Sequence, residues 1–175
     1  MTTTLSRRIP PQRLVRLMNP LVRAMLRSPL HRALDNALLI LHITGRRTGR
    51  RYDIPVGFMD LGSGLVVVTQ HRWRANLRGG ADVEVTHAGR RRPMHAELDE
   101  EPASVAATLD NAGQLIGWRA TQRLIGLTGG ADHTPTRADL EEAVRQYGLT
   151  GITLTVRPAT DGPGVLKASP EPGAS

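Results

Sequence analysis

Residues 38–51 read Leu-Leu-Ile-Leu-His-Ile-Thr-Gly-Arg-Arg-Thr-Gly-Arg-Arg, an apolar strand that runs directly into a turn bounded by two glycines and rich in arginine. Glycine permits positive φ and lets backbone N–H groups approach a ligand closely. Guanidinium groups match the oxygens of phosphate and carboxylate. The pattern suits an anion-binding turn at 45–49, although a basic turn taken alone is more often a solvated basic hairpin; the motifs that follow decide between the two.

Short strands separated by glycine-containing turns continue along the chain. Runs of strand-forming residues bounded by these turns predict strands at 37–44, 51–59, 64–69, 81–87 and 91–98, and alternation predicts a last strand at 152–156. Helices are expected at 104–111, 114–127 and 137–147, the last beginning at a capping-box variant and ending at Gly148. Consecutive short strands with tight turns form antiparallel meanders that close into barrels. The expected fold is mainly β with flanking helices (α+β).

Composition divides the chain into three parts. Residues 1–36 carry an apolar stripe at helical spacing and many arginines, which predicts basic amphipathic helices. Such helices either dock on the barrel or lie on an anionic membrane surface. Residues 37–157 form the predicted barrel domain with a helical insertion at about 102–147, and the tail at 158–175 is rich in Pro, Gly, Ser and Ala and is expected to be disordered.

Charge is distributed unevenly over the 175 residues. Residues 1–51 hold eleven arginines and one acid, whereas the remainder has a small net negative charge, and the whole chain carries +7. This asymmetry predicts an anionic partner. Nucleic acid is disfavoured, because the basic segment has no interleaved aromatic residues for base stacking.

Several function classes are excluded by what the sequence lacks. There is no cysteine, which removes thiol catalysis and disulfides. The six histidines show no metal-binding helical spacing, and although His87 and His95 could face each other across a hairpin, a surface pair is favoured, so no metal site is predicted. Arginines interrupt every candidate signal-peptide core, and no apolar run is long enough to span a membrane. A cytoplasmic protein is expected, with membrane contact limited to the peripheral kind.

Five motifs in order resemble the deazaflavin-dependent nitroreductase and quinone reductase family, whose split β-barrel is related to the pyridoxamine-phosphate-oxidase-like, FMN-binding-like proteins. The motifs are Thr44 to Gly49, Pro55, the Val-rich strand at 66–68, Trp73-x-x-Asn76-Leu77, and the Val-x-Val strand at 83–85. The likeness covers roughly residues 14–98. The chain differs in having Tyr52 where many members carry arginine, and in a short loop at 69–72.

The resemblance implies an antiparallel split barrel that transfers a hydride from reduced coenzyme F-420, an 8-hydroxy-5-deazaflavin, to a quinone-like or nitroaromatic acceptor. It also leaves open a homodimer. The alternatives are a barrel that binds FMN or haem, a cofactor-binding module without turnover, and a structural barrel with a membrane-anchoring basic end. The cofactor-binding residues implied by the resemblance are Arg46, Arg47, Thr48, Gly49, Arg50, Arg51, Pro55, Val68, Thr69, Gln70, Trp73, Asn76 and Leu77, and the candidate proton donors are Tyr52 and Tyr147.

Overall fold

A computed structural model of the chain describes residues 6–7, 38–128 and 134–156. Nine strands are present in these ranges: β1 Ser6–Arg7, β2 Leu38–Thr44, β3 Arg51–Gly57, β4 Met59–Asp60, β5 Leu65–Thr69, β6 Ala81–His87, β7 Arg90–Asp99, β8 Leu127–Thr128 and β9 Thr150–Val156. The α-helices are α1 Pro102–Ile116, α2 Trp118–Ile125 and α3 Arg137–Tyr147, and a 3-10 helix spans Arg72–Leu77.

Seven strands form one antiparallel sheet in the order β3-β2-β6-β7-β9-β5-β4, and β1 pairs separately with β8. The two edge strands of the large sheet, β3 and β4, are separated in sequence only by Phe58. The chain passes from one edge to the other across this single residue, so the sheet must curl until its edges meet. The expected α+β fold class is confirmed as a seven-stranded antiparallel half-barrel with flanking helices.

Two apolar clusters lie on opposite faces of β5. The interior cluster contains Val67 together with Leu41, Val85 and Leu154 from neighbouring strands, all at most 2% exposed. The second cluster, which we call the helical cluster, contains Val66 and the buried faces of α1, α2 and α3. Because successive side chains of a strand point to opposite faces, β5 belongs to both clusters.

The helix signals read from the sequence are confirmed for α3. Thr136 Oγ1 accepts a hydrogen bond from the Asp139 amide at 3.2 Å, and the Thr136 amide donates to Asp139 Oδ2 at 2.9 Å. This reciprocal arrangement is a capping box. Gly148 ends the helix in the left-handed conformation, with φ at 59°.

Several element boundaries differ from the sequence expectations. The predicted strand at 51–59 is divided at Phe58, because the chain there passes between the two edges of the sheet. Helix α1 runs to Ile116, well past 111, and α2 begins only at Trp118, because Gly117 takes φ at 85° and interrupts the helical backbone. The short β1–β8 pair has no signal in the sequence. The predicted helices within 1–36 and the tail at 158–175 lie outside the described residues, except for Ser6–Arg7.

Candidate functional site

One end of the half-barrel gathers most of the predicted binding residues. Strand β2 ends at Thr44, which pairs with Arg51, so the arginine-rich turn projects from this end. Strand β5 runs in the same direction as β2, because β6, β7 and β9 lie between them and every pairing is antiparallel. It therefore also ends here, at Thr69, and the 3-10 helix follows it in the chain. We call the turn at 45–50 and the 3-10 helix together the basic end.

Backbone hydrogen bonds close the turn tightly. The Gly45 amide donates to the Arg50 carbonyl at 2.8 Å, and the amides of Gly49 and Thr48 both donate to the Gly45 carbonyl, at 2.8 and 3.3 Å. The Arg50 amide donates to Thr48 Oγ1 at 3.3 Å. These bonds occupy the amides of Gly45, Thr48, Gly49 and Arg50. An anion at this turn would therefore be bound mainly by guanidinium groups.

The two glycines have different roles. Gly49 has φ at 63°, which explains its residue type, whereas Gly45 is not in the left-handed region. At Gly45 a Cβ atom would lie 2.9 Å from Thr48 Oγ1 and 3.1 Å from the Tyr52 ring. The expectation of positive φ is thus correct for Gly49 and wrong for Gly45, whose glycine is explained by close packing.

A hydrogen bond across 30 positions of sequence joins the turn to the 3-10 helix. The Arg46 amide donates to Asn76 Oδ1 at 3.0 Å. Asn76 Nδ2 in turn donates to the Trp73 carbonyl at 2.9 Å, which fixes the orientation of the side-chain amide. Leu77 is 1% exposed in the interior cluster, and Trp73 packs against the same cluster. The interior packing therefore anchors the helix, and the helix anchors the turn.

Unpaired positive charge is concentrated on the turn. Arg46, Arg47, Arg50 and Arg51 are exposed, and none of the four has a carboxylate within ion-pair distance among the described residues. The Arg50 guanidinium carbon lies 5.8 Å from the centre of the Tyr52 ring, within cation–π range. The turn thus offers several cations to an anionic ligand.

Two further arginines at this end are engaged by one carboxylate. Arg78 donates from Nε and Nη2 to the two carboxylate oxygens of Glu100, at 2.8 and 2.9 Å. Arg74 Nε lies 3.8 Å from Glu100 Oε1. The hydrogen bond from Arg78, aided by the positive charges of Arg78 and Arg74, lowers the pKa of Glu100, although desolvation opposes the shift. The ion pair therefore persists below the pH at which a free glutamate is protonated.

The Arg78→Gln variant tests this pairing. We expect the pKa of Glu100 to rise toward its ordinary value, because the principal hydrogen-bond donor is lost. The lowered pKa means that the pair contributes stability above the unfolded-state pKa, and that this contribution disappears as pH falls through the folded-state pKa. Side-chain carboxyl NMR across acidic pH measures the midpoint, with Arg92→Gln at the opposite end as the charge-matched control. An unchanged midpoint in Arg78→Gln would contradict the assignment.

The remaining predicted binding residues lie at the end of β5, against the helices, or on the outer face of β3. Thr69 and Gln70 lie at the end of β5, but Thr69 Oγ1 already accepts from the His71 amide at 3.2 Å. Val68 packs against the helical cluster. Pro55 lies between Ile54 and Val56, which pack on the interior cluster, so its ring points to the outer face of β3.

The two candidate proton donors lie on different elements. Tyr52 is 39% exposed and adjoins the turn, beside Gly45 and Arg50. Tyr147 is on the last turn of α3 and packs against the helical cluster. Tyr52 is therefore the candidate seen to contact the turn.

Sequence reasoning missed a histidine network. His42 Nδ1 lies 2.7 Å from Asp53 Oδ1, and its Nε2 lies 2.8 Å from Thr86 Oγ1. The ring therefore links β3, β2 and β6 on the face opposite the interior cluster. A polar residue within the apolar run of β2 was the available signal.

His87 and His95, which the sequence suggested as a possible pair, are separated in the sheet. His87 pairs with Arg90 in the hairpin and His95 pairs with Asp82, so the two histidines do not face each other. Among the described residues, no group of three histidine, aspartate or glutamate side chains could hold a metal ion. In the same part of the chain, no helix is long and apolar enough to cross a membrane.

Comparison with known proteins gives no match: no family model fits this sequence, and no curated protein resembles it closely enough to be matched. The function is therefore inferred from the resemblance of the motifs and from the half-barrel fold.

Proposed function

We propose that the basic end binds reduced coenzyme F-420 and that the protein passes its hydride to a quinone-like or nitroaromatic acceptor. The observation that supports this most is the hydrogen bond from the Arg46 amide to Asn76 Oδ1. It unites the Thr-Gly-Arg-Arg-Thr-Gly turn and the Trp-x-x-Asn-Leu segment, the two motifs that carry the family resemblance, in one surface.

The chemistry of the basic end suits the anionic part of this cofactor. Arg46, Arg47, Arg50 and Arg51 would bind its phosphate and its glutamate carboxylates, since charged hydrogen bonds to such oxygens are strong and directional. Most of the turn amides are occupied internally, so the guanidinium groups would supply most of the binding. Their exposure suits a flexible tail that stays partly in solvent.

The apolar part of the basic end would receive the ring system. Trp73, half-buried on the 3-10 helix, would form a wall for the ring and exclude water, while the buried Leu77 holds the helix against the interior cluster. Reduced deazaflavin supplies the hydride when bound, and the protein contributes binding and orientation. Tyr52 is the proposed proton donor to the acceptor, because it is the candidate tyrosine that adjoins the turn.

A side-by-side titration tests the cofactor. We expect saturable binding of coenzyme F-420 with a Kd of about 1 μM or tighter, which corresponds to roughly −8 kcal/mol, and weaker binding of FMN, because FMN lacks the glutamate-bearing tail that the turn would contact. Fluorescence titration measures F-420 and FMN, and the visible spectrum reports haem.

The alternatives correspond to other outcomes of the same titration. FMN binding as tight as F-420 binding would overturn the assignment and favour a flavin-binding barrel, and a haem spectrum would favour a haem protein. Binding of F-420 without reduction of menadione or a nitroaromatic compound would indicate a cofactor-binding module without turnover.

A further inference from the structure

Glu100 forms ion pairs with two arginines at the basic end. It follows β7 directly, and its carboxylate faces two arginines that flank Asn76 in sequence. Its contact with Arg78 is bidentate, the geometry in which two parallel N–H bonds fix the planes of both groups. Glu100 thus contacts the arginines on either side of Asn76, the residue that accepts the hydrogen bond from the turn.

Arg74 depends on this carboxylate. Its side chain is 21% exposed, and its Nη1 donates to the backbone carbonyls of Gln70 and His71. Its buried Nε has no hydrogen-bond partner among the described residues. Within the same residues, Glu100 is the carboxylate that forms an ion pair with it. Loss of the Glu100 charge would leave this half-buried guanidinium with its two carbonyl acceptors but without its carboxylate partner, and so less firmly held in place.

We propose that Glu100 is the positioning residue of the basic end: it fixes the 3-10 helix so that Asn76 holds the Arg46 amide, and it keeps Arg74 and Arg78 from contacting ligand. The inference rests on the proposed function in taking the turn as the place where the anionic ligand binds. It adds a selective element, because Arg74 and Arg78 are engaged by Glu100 while the turn arginines remain available to that ligand.

The role is one of geometry rather than stability. Ion pairs at exposed positions contribute little to folding, and Glu100 is 38% exposed while Arg78 is 59% exposed. Their effect is to restrict the helix and to cancel charge locally. Removal of the carboxylate would loosen the Arg46–Asn76 bond and would leave two cations free beside the turn.

The test compares Glu100→Gln with Glu101→Gln. The two variants remove the same charge at adjacent exposed positions, and among the described contacts the Glu101 side chain has no ion pair. In Glu100→Gln we expect hydrogen exchange of the Arg46 amide to quicken about fivefold or more, since exchange reports local opening. In a titration with inorganic pyrophosphate followed by NMR, the Nε–H signals of Arg74 and Arg78 should respond only in this variant. Glu101→Gln should match the parent in both measurements.

Absence of either difference between the two variants would overturn the proposal. A large fall in the Tm of Glu100→Gln relative to Glu101→Gln would overturn it as well, because it would assign Glu100 to stability. Neither measurement uses deazaflavin. A parent protein that fails to bind coenzyme F-420 would therefore refute the proposed function while leaving the result for Glu100 readable.

Discussion

Replacement of Arg47 and Arg50 by alanine is expected to weaken binding of coenzyme F-420 by about 2–4 kcal/mol, or roughly 30- to 700-fold in Kd. Both guanidinium groups are exposed and have no carboxylate partner among the described residues, so they are free to contact the anionic ligand. Folding should be almost unaffected, because neither side chain contributes to an apolar cluster. Fluorescence titration at two salt concentrations measures the loss, and the salt dependence of the double variant should be smaller than that of the parent.

The matched control is the double variant Arg90→Ala and Arg92→Ala. These arginines are also exposed but lie in the β6–β7 hairpin region, at the opposite end of the sheet. The control changes the net charge equally, so it separates long-range attraction from direct contact. If the two double variants weaken binding to the same extent, the turn is no more than part of a general positive field, and the solvated-hairpin interpretation is restored.

The Leu154→Ala variant is expected to lower the free energy of unfolding by about 2–5 kcal/mol. Leu154 is 0% exposed, and its strand β9 pairs with both β5 and β7. The lost methyl groups would leave a cavity in the interior cluster that the surrounding strands could fill only in part. For a chain of this size, about 2–4 °C of Tm is lost per kcal/mol, which thermal unfolding by circular dichroism can resolve.

Thr155→Ala serves as the control, because Thr155 is the next residue of β9 and is exposed. Its free energy of unfolding should change by no more than about 0.5 kcal/mol. Similar losses in the two variants would mean that β9 does not present Leu154 to the interior, and that the sheet register is different from the one described.

Local sequence patterns predicted the elements that are held together by neighbouring residues. The Val-rich run at 64–69 predicted β5, and the Thr136 capping box with Gly148 predicted the limits of α3, since such runs and caps involve only a few adjacent positions. The predicted boundaries of elements were wrong where contacts between residues distant in sequence decide them. Phe58 ends one strand because the sheet curls there, and no local pattern encodes that crossing.

In the candidate site too, local motifs could be predicted from the sequence, whereas contacts between distant residues could not. The sequence identified the arginine-rich turn and the Trp73-x-x-Asn76-Leu77 segment separately. It predicted that the turn amides would be available to a ligand, and this was wrong for most of them, because the hydrogen bonds that occupy them depend on how the turn closes. It gave no indication of Glu100, which reaches Arg78 across 22 positions.

The sequence by itself determined the antiparallel β character, the positive charge at one end of the chain and the positions of the two motifs, because composition and periodicity are properties of neighbouring residues. Tertiary structure alone decided that the Arg46 amide meets Asn76, that Glu100 engages Arg74 and Arg78, and that Val68 and Tyr147 pack against the helical cluster while Pro55 faces outward from β3. Those contacts follow from strand register, and a shift of one residue in register would turn every side chain of a strand to the opposite face.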